Sequence, residues 1–148
     1  MRLPALLSVV LASSCFALPA VADTTDKTCR FLEVIGSNDG ASVSAMLDDI
    51  APNFSAERRS SASQSLEALV SSPIFNGGSA WRIAALGNDL EEHLVILRLT
   101  EGEVAGGRLR YEWSPDGLAL VSLEFQRQYA EYTSAGFLMT PEPITCGS

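Results

Sequence analysis

The sequence predicts an α+β fold, with N-terminal helices packed on a curved, mainly four-stranded antiparallel sheet. Three observations carry that expectation. Apolar residues recur at helical spacing from Thr25 to Val70, and from Ala80 onward the spacing shortens to two. The third is the cysteine placement, with Cys29 in the first helical segment and Cys146 near the last residue.

The first helical segment has Thr25 as its N-cap, sets Phe31, Leu32 and Ile35 on one side and ends at Gly36. Gly36-Ser37-Asn38-Asp39-Gly40 is a turn cluster. Val43, Met46, Leu47 and Ile50 then fall at i, i+3, i+4 and i+7, and Ala51-Pro52 closes that helix because the residue before proline is driven out of the helical region. Ser55 caps a third helix in which Ala62, Leu66, Leu69 and Val70 share a face, Arg58, Arg59 and the serines look outward, and Pro73 is the stop.

Four strands follow: Trp81–Leu86, Glu92–Thr100, Arg108–Trp113 and Leu118–Gln128. Asn88-Asp89 and the stretch 101–107 are connections, as is Gly77-Gly78-Ser79. At Ser114-Pro115-Asp116-Gly117 a three-residue loop with a left-handed Gly117 pairs Trp113 with Ala119, Tyr111 with Val121 and Leu109 with Leu123. All six then lie on one face, and Arg108 meets Glu124 on the other. In the second strand Val95, Leu97 and Leu99 share one face with His93, while Leu94 and Ile96 share the other with Arg98. A strand apolar on both sides needs both faces covered, either by a second copy of the chain or by the tail from Tyr129 to Cys146.

Length and processing fit one domain. Met1-Arg2, the apolar stretch Leu3–Leu18, Pro19 and the small residues Ala20-Val21-Ala22 read as a signal peptide over 1–22, leaving a single domain over 23–148. The apolar stretch is short of the ≈20 residues that span a bilayer, so the expected location is exported, periplasmic or extracellular. A lipobox-like Ala12-Ser13-Ser14-Cys15 offers the rival, a lipid on Cys15. Cleavage at Ala22 leaves Cys29 and Cys146 as an even pair, expected to form a disulfide across the domain.

The chain carries 10 Lys+Arg against 18 Asp+Glu, for a net charge of −8. Removing 1–22 takes away one positive charge, that of Arg2, and leaves −9. Such a balance excludes nucleic acid as partner, since that affinity depends on neutralising phosphates with cations. It suits a basic protein partner instead.

Few residues carry chemistry. One histidine, no unpaired cysteine cluster and no acidic calcium loop leave no metal site, and no motif calls for a cofactor. No Gly-x-Ser-x-Gly turn presents a serine. His93 is a candidate acid or base, its plainer reading being a partly exposed histidine near a strand end beside Glu91 and Glu92. Glu124 is a candidate pocket carboxylate, or a partner of Arg108. Trp81, Tyr111 and Trp113, with His93, form the candidate ligand-binding set under the helices; the plainer reading is core.

The run from Phe31 to Gly40, the Val43–Ile50 stripe, and Gly117-Leu118-Ala119-Leu120-Val121-Ser122-Leu123-Glu124-Phe125 together resemble the nuclear transport factor two-like (ketosteroid-isomerase-like) superfamily. The likeness lies in the order of elements, over about Thr25 to Gln128. It implies a cone between helices and sheet that holds a small apolar molecule, and an outer sheet face that forms homodimers. It transfers no catalytic residue. The resulting expectation is an exported, non-catalytic binding or accessory domain holding a small apolar ligand or a protein. The alternatives are an acidic inhibitor or immunity-type protein, and a small isomerase- or hydratase-like enzyme using His93 or Glu124 with Tyr111.

Overall fold

Three helices lead into an antiparallel sheet of five strands in the computed structural model, which describes residues 23–71, 74–126 and 137–147. The signal peptide over 1–22, the stop at Pro73 and the first part of the expected tail cover lie outside the described residues. Helix α1 spans Thr24–Gly36, α2 Val43–Ile50 and α3 Ala56–Val70, with a single 3₁₀ turn at Gly40–Ser42 leading into α2. The N-cap of α1 is Asp23, not Thr25: its carboxylate accepts from the Thr25 amide, and Thr24 is thereby the first helical residue. Ser55 caps α3 as expected, its hydroxyl accepting from the Arg58 amide. Arg58 and Arg59 do more than face solvent. The Arg58 guanidinium stacks 4.5 Å over the Phe54 ring, and Arg59 reaches Asp48 at 2.8 Å and the Pro52 carbonyl at 2.9 Å.

The strands are β1 (Phe75–Leu86), β2 (Leu90–Leu99), β3 (Val104–Ser114), β4 (Gly117–Gln126) and β5 (Glu142–Ile144). Their order across the sheet is β4-β3-β2-β1-β5, a meander whose last strand returns beside the first. β1 begins six residues before Trp81, running through the glycines read as a connection, and β3 likewise takes in Gly106 and Gly107. Gly78 and Gly107 are there for close packing. A Cβ on Gly78 would stand 2.6 Å from Leu97 Cδ2 and 2.9 Å from the Ile96 carbonyl, and one on Gly107 would stand 2.5 Å from the Phe125 ring.

The β3–β4 hairpin is tighter than expected. Ser114 pairs with Gly117 and Trp113 with Leu118, so Tyr111 faces Leu120 rather than Val121. A bulge at Val121 absorbs the extra residue, and beyond it Leu109 meets Leu123 and Arg108 meets Glu124 as the hydrophobic pattern requires. Gly117 is left-handed, at φ 99°. Ala119 therefore lies opposite Glu112, off the face of Tyr111.

The main core joins Phe31, Ile35, Met46, Leu47, Ile50 and Leu66 from the helices to Val95, Leu97, Leu109, Tyr111 and Leu120 from the sheet. A second cluster, Ile83 and Leu94 with Trp81 and Ile96, lies on the other face of β1 and β2, and Phe137 packs against it. Part of the chain's own tail thus covers the doubly apolar strand. Cys29 and Cys146 are bonded, with Sγ atoms 2.03 Å and Cα atoms 5.4 Å apart, so the segment carrying β5 is tied to α1.

Candidate functional site

Helix α1 lays two hydroxyls against the sheet. Thr24 and Thr28 are one turn apart, on the same buried stripe as Phe31 and Ile35. Strands β2 and β3 answer with Glu91, His93 and Tyr111; in the register Glu91 lies opposite Tyr111 and His93 opposite Leu109. Thr28 Oγ1 is 2.6 Å from His93 Nδ1 and 2.8 Å from the Tyr111 hydroxyl. On the far side of the ring, Nε2 is 3.3 Å from Glu91 Oε2, which also accepts from the Thr24 hydroxyl. Arg82 closes the run, with Nε 3.4 Å from Glu91 Oε1 and Nη1 3.5 Å from Glu142 of β5.

The donors and acceptors assign themselves in one direction. The Glu91 carboxylate only accepts, so His93 Nε2 carries the hydrogen and Nδ1 is the acceptor. Thr28 then donates to Nδ1 and accepts from Tyr111. Burial holds the His93 imidazole below its ordinary value of 6.5; Glu91 pulls it back upward and Arg82 adds to the lowering. Burial also pushes the Tyr111 phenol up, so it stays protonated and donates. A proton on Nδ1 would turn Thr28 Oγ1 into the acceptor for both His93 and Tyr111, and neither of these partners could then take the threonine's own hydrogen. The neutral tautomer is the one this site is built for.

His93 and Thr28 have 0% exposure. The partly exposed histidine of the sequence reading is therefore corrected: α1 lies over it, and its ring packs 5.1 Å from that of Tyr111. A general acid or base has to come within hydrogen-bond reach of a reacting group. Here both imidazole nitrogens are taken by the chain itself, and the arrangement links α1 to two strands.

The four residues of the expected ligand set do not converge. His93 and Tyr111 meet under α1. Trp81 lies with Ile83 and Leu94 in the second cluster, on the opposite face of the sheet. Trp113 stands at the hairpin tip, 63% exposed, because the tighter hairpin carries it past the helix layer. Glu124 lines a charged cleft of about 510 Å³ on the outer face with Glu92, Arg108, Arg110 and Glu112. Arg108 faces Glu124 across the ladder and also comes within 3.9 Å of Glu92. Thr24, Thr28, Glu91 and Arg82 were missed from sequence. The two threonines were findable, since their four-residue spacing extends the Phe31–Ile35 stripe toward the N-terminus.

Other concavities lie at the surface. The cleft between α3 and β4, about 570 Å³, is lined by Phe54, Ala62, Leu66, Leu123 and Phe125 together with Ser61 and Ser65. Among the described residues no group of three or more His, Cys, Asp or Glu comes together as a metal site would require. Comparison with known protein families, curated protein sequences and solved structures gives no match for this chain.

Proposed function

We propose that the chain is an exported, non-catalytic accessory domain that binds a protein partner through its surface. The observation that carries this reading is the filled interior. Where a ligand-holding cone would be open, His93, Val95, Leu97, Leu109, Tyr111 and Leu120 fill the space between helices and sheet, and the polar atoms among them satisfy one another. The Cys29–Cys146 bond supports export, because such bonds persist in oxidising compartments. No helix among the described residues is long and apolar enough to cross a membrane.

A second reading, a small apolar ligand, is favoured by one place, the α3–β4 cleft floored by Leu66, Leu123 and Phe125. Two experiments separate them. Photo-crosslinking from surface positions of the exported protein is expected to capture one discrete protein. Titration of the oxidised protein with oleate is expected to show no saturable uptake. One-to-one oleate binding that disappears in Leu66→Glu would overturn the protein-partner reading in favour of the cleft.

A further inference from the structure

The β1–β2 and β3–β4 hairpins end side by side. Leu90 is opposite Glu112 in the ladder, and the Trp113 amide donates to the Asp89 carbonyl at 2.9 Å, so the two turns form one continuous end of the sheet. Two large hydrophobic residues are exposed there, Trp113 at 63% and Leu86 at 58%. The indole borders a cleft of about 450 Å³ lined by Asp23, Thr24, Asn88, Ser114, Pro115 and Leu118. Asp23, Asp89 and Asp116 are all exposed at this end, and none of them is in an ion pair among the described residues. The nearby cation, Lys27, is turned inward, its ammonium donating to the Leu118 carbonyl at 2.7 Å.

We propose that this Trp113-centred hairpin end is the docking surface for a basic protein segment, with an arginine of the partner stacked on the indole and the three aspartates around it. The proposal rests on the protein-partner reading above and adds the place and the chemistry. Tryptophan is the residue most able to anchor an interface from a small contact. Its ring face attracts a guanidinium, whose flat, weakly hydrated shape suits stacking better than an ammonium does. The carboxylates and the net charge of −8 repel an acidic partner and speed the approach of a basic one. A purely apolar partner would have to strip water from the aspartates without pairing them.

The test uses the full, oxidised protein carrying Trp81→Phe, which leaves Trp113 as the single indole of the two in the sequence. Hexa-arginine, hexa-lysine and hexa-glutamate peptides are titrated while the Trp113 emission is followed. Hexa-arginine is expected to give a saturable change, weakened about tenfold or more between 20 and roughly 300 mM salt as screening sets in. Hexa-lysine is expected to bind several-fold more weakly, and hexa-glutamate to give no response. Calorimetry on Trp113→Ala, and on Asp89→Asn combined with Asp116→Asn, should each show a loss of about tenfold; all these positions are exposed, and circular dichroism checks that the fold is kept. No saturable response to hexa-arginine, or undiminished affinity in Trp113→Ala, would overturn the proposal. If in-cell crosslinks to a discrete protein persist from other positions in that case, the accessory reading survives and only this surface is refuted.

Discussion

Thr28→Val isolates what the buried hydroxyl does, because valine keeps the shape and removes both hydrogen bonds. In the native chain Thr28 donates to His93 Nδ1 and accepts from Tyr111, all inside the core. The substitution leaves two buried groups without partners, at about 1–3 kcal/mol each, so a loss of about 2–6 kcal/mol is expected. That is a large share of the roughly 5–15 kcal/mol that holds a typical domain. Tyr111→Phe should cost only about 1 kcal/mol, since Thr28 still donates to His93. The double variant orphans Nδ1 alone, so its loss should fall short of the sum of the singles by about 2–4 kcal/mol. The assay is guanidinium unfolding of the disulfide-intact protein near pH 7.5, with Thr25→Val on the half-exposed side of α1 as the control for helix propensity. A Thr28→Val loss near that of the control, or an additive cycle, would refute the directed network.

Three further outcomes follow from the same geometry. The native His93 imidazole titrates below 6.5, so as pH falls the unfolded chain takes up its proton first; stability should be full above about 6.5 and decline through the folded value, by about 1.4 kcal/mol per unit of depression. Guanidinium midpoints between about pH 7.5 and 5 measure this, and a flat profile, or one unchanged in His93→Gln, would contradict it. Gly117→Ala places a side chain at φ 99° and should cost on the order of 1 kcal/mol in the same assay; a neutral effect would mean the hairpin resets at no cost. Mass spectrometry of the exported protein should find a chain beginning at Asp23 and lacking two hydrogens, and removing Cys29 and Cys146 together should cost up to about 4–5 kcal/mol. A diacylglycerol on Cys15 would refute cleavage at Ala22, and free thiols would refute the staple.

Hydrophobic period was enough to read the helices, the four-strand meander and the two-sided burial of β2, because each is set by which face of an element must leave water. It was not enough at the glycines. Gly77, Gly78, Gly106 and Gly107 look like breaks in a one-dimensional pattern, yet all four lie within strands, and at Gly78 and Gly107 a helix side chain or a phenyl ring comes too close for a Cβ. The β3–β4 tip shows a different limit. The expected register and the observed one both keep Leu109 with Leu123, and they differ nearer the tip through a single bulge that alternation cannot see. The site failed for a related reason. His93 and Tyr111 were marked by residue type, but their partner is a threonine 65 residues before His93, an ordinary helix residue until α1 is laid on the sheet.

The network and the disulfide act on the same helix. Thr24 and Thr28 tie the first turns of α1 to β2 and β3, and Cys29, the next residue, ties it to the segment carrying β5. Arg82 joins the two systems, since it reaches Glu91 within the network and Glu142 on β5. Helix, central strands and returning strand are therefore held by polar and covalent links whose geometry is directional, beyond apolar packing that tolerates sliding. The consequence for function is at the hairpin end. Asp23, the N-cap of α1, borders the Trp113 cleft, so fixing α1 on the sheet also fixes one wall of that cleft relative to the indole. A surface held this way loses little conformational freedom on binding, and more of its contact energy is left for affinity. Loosening α1 through Thr28→Val should then weaken hexa-arginine binding even though Thr28 is buried, whereas a network serving stability alone would leave the affinity of the folded fraction unchanged.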